Sequence, residues 1–108
     1  MNIVDQRIEK LAKNLISHSC RIEKGEKVLI ESFGEASKNL VKALIKETYA
    51  AGGYPFVTNK DQTLLRELLK GCSIEQIKMM AKYELERMKD MDAYIAIRGT
   101  DNSTEMSD

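Results

Sequence analysis

The chain has 108 residues, of which 17 are basic and 17 acidic, so its formal net charge is zero. That length holds one domain and not two, and the charge balance excludes the strongly basic surface that nucleic acid or an anionic membrane requires. No apolar run approaches the ~18–20 residues of a membrane helix, and the start, MNIVDQRIEK, is too charged for a secretory signal.

The first element is a helix over residues 3–18. Val4, Ile8, Leu11, Ala12 and Leu15 recur at helical spacing, with Gln6, Glu9, Lys10, Lys13 and Asn14 opposite. A polar connection, Arg21 to Lys27, turns at Gly25. Val28-Leu29-Ile30 is short, apolar and β-branched, which marks a buried strand. Ser32-Phe33-Gly34 ends it. A second helix runs from Glu35 or Ser37 to Ala51, with Leu40, Val41, Leu44, Ile45 and Tyr49 on its inner stripe and Ser37 as N-cap. Gly52-Gly53 stops it, because glycine accepts the left-handed conformation in which helices end.

Tyr54 to Thr58 is the second strand, with Pro55 at its start, where no ladder donor is needed. Asp61 caps a third helix that holds Leu64, Leu65, Leu68 and Leu69 and ends at Gly71. Ser73-Ile74-Glu75-Gln76 has the capping-box form. It opens a fourth helix that reaches Met88, with Ile77, Met80, Ala81, Leu85 and Met88 directed inward. Ala93 to Ile97 is the third strand, and Arg98 to Glu105 is wholly polar.

The order α-β-α-β-α-α-β predicts an α/β fold, a small three-layer structure with one parallel sheet of three strands. Right-handed crossovers place the first strand in the middle. Strands without polar alternation predict a sheet covered on both faces. Two of the three strands are then edges, which whole proteins usually cover, so the sequence reads as a fragment of a larger protein. Cys20 and Cys72 lack CxxC spacing. They read as reduced, buried thiols in a cytoplasmic protein.

Little in the sequence is chemically active. A transition-metal site needs three or four His, Cys, Asp or Glu ligands, but His18 is the sole histidine and sits where it meets a helix dipole. Cys20 is two residues away, a spacing at which helical side chains do not face each other. There is no GxSxG, GxxxxGK[ST] or GxGxxG motif. The acidic, glycine-poor turn after the first strand is a weak phosphate cradle. The residues at the carboxyl rim of the sheet remain, where open α/β sheets collect ligands: Glu31, Ser32, Arg98 and Asn102. Arg98 reads either as an anion clamp or, with more weight, as a residue bracing a loop. No catalytic, cofactor-binding or metal-binding residue is assigned.

Several long segments carry a resemblance. They are DQRIEKLAKNLISHSC, Gly25 to Glu31, LVKALIKETYAAGGYPFV (Leu40 to Val57) and DAYIAIRGTDNSTEMSD (Asp92 to Asp108). Together, collinearly and over nearly the whole chain, they resemble the N-terminal domain of the thermophilic-type metal-dependent aminopeptidases, the aminopeptidase T and aminopeptidase S family. The resemblance implies a much longer parent enzyme that removes amino acids from peptide N-termini with two divalent metal ions of the zinc or cobalt type. Its metal ligands belong to a following catalytic domain and match no position here. On that basis residues 1–108 are expected to be the N-terminal non-catalytic domain, without the catalytic domain and inactive alone. Peptides are then the parent's substrates, and the bare edges imply self-association or a homodimer. The rival expectation is a small stand-alone α/β module that binds a ligand or partner at the strand-end rim.

Overall fold

The structure is a computed structural model and describes residues 3–98. Helix α1 (Ile3–Asn14) passes into a π-helical turn (Leu15–Ser19), followed by β1 (Lys27–Phe33), α2 (Lys38–Ala50), β2 (Tyr54–Lys60), α3 (Gln62–Lys70), α4 (Ile74–Lys89) and β3 (Ala93–Ile97). The strands form one sheet in the order β2-β1-β3. Both pairings are parallel, with Ile30 opposite Val57 on one side and Ile95 on the other. The expected topology, including the central first strand, is therefore present. The first two strands run longer than the apolar runs that announced them, because their polar ends still join the ladder.

Register divides the sheet into two faces. Val28, Ile30, Ile95 and Ile97 share the first face, and α1 and α2 close over it. Ala12, Ile16, Ile22, Leu40, Val41, Ala43 and Leu44 complete this core. The side chain of Val4 lies outside the described residues. On α2 the sequence expectation needs one correction: Tyr49 is exposed, and Thr48 takes the buried position. Its hydroxyl donates to the Leu44 carbonyl at 2.7 Å, so a polar residue is satisfied by its own helix.

After α1 the chain reverses tightly. The Cys20 amide donates to Leu15 O at 2.8 Å, the Ile22 amide to Ile16 O at 2.9 Å, and Arg21 adopts a positive φ of 51°. This brings Ile22 against Gly53, where a Cβ would lie 2.9 Å from both the Ile22 methyl and the Glu26 carbonyl oxygen. Gly53 is thus required by close approach, whereas Gly52, with φ of 86°, supplies the left-handed end of the helix. Both cysteines are free and half-buried rather than buried, and burial pushes the Cys20 thiol up.

The second face carries Leu29, Glu31, Phe33, Phe56, Thr58, Lys60, Tyr94 and Ala96. Here the expectation of an apolar cover fails. Neither α3 nor α4 has a buried residue. Leu64, Leu68 and Leu69 of α3 are exposed, and so are Ile77, Ala81, Leu85 and Met88 of α4, which were expected inward; Met80 is half-buried. The half-buried residues of α4 are Gln76, Met80, Glu84 and Arg87, spaced four, four and three apart along one side. That mixed stripe faces the sheet, as the bond from Arg87 to Thr58 requires.

The free edge of β2 is blunted. The Tyr54 amide donates to Glu26 O at 2.7 Å, toward β1, and amide direction alternates along a strand. The free edge therefore belongs to Pro55, Val57 and Asn59, and Pro55 has no donor to offer.

Candidate functional site

The candidate site is the carboxyl end of the sheet on its second face, and Glu31 is its centre. As the fifth residue of β1 it lies beside Thr58 of β2 and Ala96 of β3. The small Ala96 leaves room for Tyr94 to reach over from two register steps below. The Tyr94 hydroxyl donates to Glu31 Oε1. Lys60, two steps above on the other neighbour, places Nζ 2.9 Å from Glu31 Oε2. Each carboxylate oxygen thus has its own donor, and Glu31 is only 8% exposed. Helix α4 crosses beside this group. Arg87 Nη1 donates to Thr58 Oγ1 at 2.8 Å, and Nη2 meets Glu84 Oε1 at 3.1 Å.

The electrostatics follow from these contacts. Burial alone pushes the Glu31 carboxyl up, but the Tyr94 hydroxyl and the Lys60 ammonium together outweigh it and hold the group below its ordinary value. Burial, followed by the bond to the Glu31 carboxylate, pushes the Tyr94 phenol up to about 12, while the nearby charge of Arg98 opposes that rise. At neutral pH the carboxylate is ionised, the phenol is protonated and the two opposite charges are matched. Each oxygen of this carboxylate is already engaged by a donor, and neither group has its proton near its transfer point at neutral pH, so the pair works as a brace between the strands rather than as an acid or base.

The sequence-predicted rim residues separate. Glu31 is in the network. Ser32 is buried, but its neighbours Glu31 and Phe33 face the other way, so it belongs to the α1–α2 side. Arg98 is exposed just past β3 and acts on the network only through its charge. Asn102 lies outside the described residues. Tyr94, Lys60, Thr58 and Arg87 were not singled out from sequence. Their shared signal was parity: each strand residue stands an even number of register steps from Glu31.

A shallow hollow of about 260 Å³ lies at the same rim, lined by Phe33, Gly34, Glu35, Ala36, Asp61, Gln62 and Thr63. Of its two acids, Glu35 pairs with Lys38 Nζ at 3.0 Å, and Asp61 is occupied by the cap of α3, accepting from the Thr63 and Leu64 amides at 2.8 and 3.3 Å. The Thr63 hydroxyl first, and then those amides, holds the Asp61 carboxyl below its ordinary value. Ser37 occupies the N-cap position of α2 as expected, yet makes no capping bond, and its buried Oγ has no partner among the described residues.

Among the described residues no three His, Cys, Asp or Glu side chains gather where they could hold a metal ion, and no helix is long and apolar enough to cross a membrane. Fold and site together define a three-stranded parallel α/β domain braced by a buried carboxylate network. The family model for the thermophilic metalloproteases (M29) matches residues 4–108. The chain belongs to that family. Among solved structures it is similar to wild-type AmpT from Thermus thermophilus, with a TM-score of 0.67 and 26% sequence identity over 89% of this chain and 25% of that one. The chain thus spans a quarter of the length of that relative. No curated protein matches.

Proposed function

We propose that residues 1–108 form the N-terminal, non-catalytic domain of a cytoplasmic metal-dependent aminopeptidase, whose complete form removes amino acids from peptide N-termini. The observation that carries this reading is the match of nearly the whole chain to the metalloprotease family, together with a fold that corresponds to one quarter of AmpT. A pair of divalent ions of the zinc or cobalt type would supply the Lewis acid and activate the attacking water in the complete enzyme.

The residues of this chain do not fit that pair. Its one histidine has no second imidazole to work with. Among the described residues the most buried carboxylate, Glu31, already has one oxygen bonded to Tyr94 and the other paired with Lys60. A metal cation there would have to displace the lysine. The metal ligands therefore belong to another part of the enzyme, and this domain's contribution is to wall one side of the cavity and restrict access to chain ends. The domain also self-associates when it stands alone.

The test is release of a chromophore from an amino-acid anilide by the purified 108-residue chain, with and without zinc or cobalt, beside a longer product of the same gene. Activity is expected in the longer product alone. Metal-dependent turnover by the 108-residue chain, lost on His18→Ala, would overturn the reading.

A further inference from the structure

The two edges of the sheet are not alike. The free edge of β2 is interrupted by Pro55, whereas β3, the other edge, holds no proline, glycine or charged residue between Ala93 and Ile97. The ladder identifies the groups that β3 leaves open. The Tyr54 amide donates to Glu26 O at 2.7 Å, and the Gly34 amide to Lys60 O at 2.9 Å. Even-numbered positions along β1 therefore address β2, and odd-numbered ones address β3. Leu29 stands opposite Tyr94 and Glu31 opposite Ala96. The slanted bonds of a parallel ladder take Leu29 and Glu31 to the residues on either side, Ala93, Ile95 and Ile97. Tyr94 and Ala96 thus turn their amides and carbonyls away from the sheet.

A closed dimer is two-fold symmetric, and about an axis normal to the sheet an edge strand meets its own copy antiparallel. With the axis at Ile95, Tyr94 of each copy stands opposite Ala96 of the other. These are the residues with outward groups, so each amide meets a carbonyl. The same axis matches the side chains. The large Tyr94 lies beside the small Ala96, and the small Ala93 beside the large Ile97. On the flanks, Asp92 of each copy comes opposite Arg98 of the other, and both are exposed. Asp92 Oδ2 accepts from the Lys27 amide at 2.8 Å, which fixes that negative charge at the foot of the strand. Moving the axis to Tyr94 or to Ala96 sets Tyr94 against its own copy or against Arg98, and parts Asp92 from Arg98.

We propose that two copies of this chain associate through the free edge of β3, antiparallel about Ile95, to form one six-stranded sheet. This rests on the self-association put forward above and adds its surface and register; the aminopeptidase assignment does not enter.

The experiment is sedimentation of the 108-residue chain across micromolar concentrations, with circular dichroism to confirm the fold of each variant. The parent should dimerise. Ala96→Pro should weaken the dimer by roughly tenfold or more, because it removes an outward amide that the ladder to β1 does not use. A second measurement reads the register. Residues facing each other at a non-hydrogen-bonded position lie about 4.5 Å apart at Cα, within disulfide reach. In a background with Cys20→Ser and Cys72→Ser, Ile95→Cys should therefore oxidise to a disulfide-linked dimer. Ala93→Cys in the same background should not, since it meets Ile97 of the second copy. Dimers that survive Ala96→Pro, or that cross-link through Ala93→Cys and not through Ile95→Cys, would overturn the proposed edge or register while leaving self-association standing. A parent that stays monomeric throughout would overturn both.

Discussion

Removing both donors from Glu31 tests whether the network on the second face is a brace. In Lys60→Met with Tyr94→Phe, the carboxylate keeps its place on the central strand but loses the partner of each oxygen. A hydrogen bond to a charged group contributes about 1.5–3 kcal/mol, and Tyr94 is part-exposed, so its loss falls at the lower end. Breaking a buried pair costs about 3–5 kcal/mol, but Lys60 reaches water, which reduces that loss to about 1–2 kcal/mol. The two losses share one acceptor and do not simply add. The double variant is therefore expected to lose on the order of 3 kcal/mol at neutral pH, displaced from the plain sum by the coupling through that acceptor.

The pH dependence carries more information than the magnitude. In the parent the folded carboxyl is held below its ordinary value. The unfolded chain then binds more protons, and Glu31 contributes stability that is present above the unfolded pKa of ~4.3 and lost as pH falls through the lower, folded value. In the double variant burial becomes the leading influence and the folded carboxyl rises above ~4.3. The sign reverses: stability is greatest below the unfolded pKa and falls as pH rises through the folded one. The gap between the two proteins should therefore close between neutral pH and about pH 3. Urea denaturation followed by far-ultraviolet circular dichroism measures it, since the chain has no tryptophan. Parallel curves across that range, or a loss under about 0.5 kcal/mol at neutral pH, would refute the brace.

Two further substitutions probe the packing. Leu29 is 1% exposed on the central strand, so Leu29→Ala should cost about 2–5 kcal/mol through lost transfer energy and a cavity, read as a shift in the urea midpoint. Gly53→Ala brings a Cβ within 2.9 Å of the Glu26 carbonyl; it should cost about 1–3 kcal/mol by overpacking, and a stabilised variant in thermal unfolding would contradict the close approach.

How far the fold could be read from sequence differs between the two faces of the sheet. On the first face, apolar strands meet helices whose apolar residues recur at helical spacing; that period picks out Ala12, Leu40 and Leu44 but misses Ile16, buried in the π-helical turn, and it sets them against Val28 and Ile30 only once the strand order is known. Right-handed crossovers supply that order. On the second face, helical period with a sheet apolar on both sides as its premise points the wrong side of α4 inward. Glu31, Thr58, Lys60 and Tyr94 share this face, and their parity is visible only after the register Glu31–Thr58 is fixed. Capping was the more local matter and read well: Ser73 Oγ accepts from the Gln76 amide at 3.1 Å, and Asp61 from Thr63. Ser37 shows the limit, since a residue type that favours the N-cap position does not ensure the bond.

The mismatch on α4 has a physical cause that links the site to the surface. A sheet face that presents an ionised carboxylate, a lysine and two hydroxyls cannot be closed by isoleucine and leucine without leaving those groups unpaired, and each unpaired buried group costs about 1–3 kcal/mol. Facing it with Met80, Glu84 and Arg87 satisfies Thr58 directly and keeps a compensating positive charge near Glu31. Rotating the helix to achieve this turns Ile74, Ile77, Leu85 and Met88 outward. The exposed stripe is thus the consequence of the buried network. Replacing Glu31 and Thr58 with apolar residues of similar size should remove the reason for that rotation. The exposed methionine Met88 would then become protected from mild peroxide oxidation, which mass spectrometry of the tryptic peptides detects. Oxidation of Met88 at the rate of the parent chain, in a variant whose fold circular dichroism confirms, would show that the helix orientation is set by something other than the polar face beneath it.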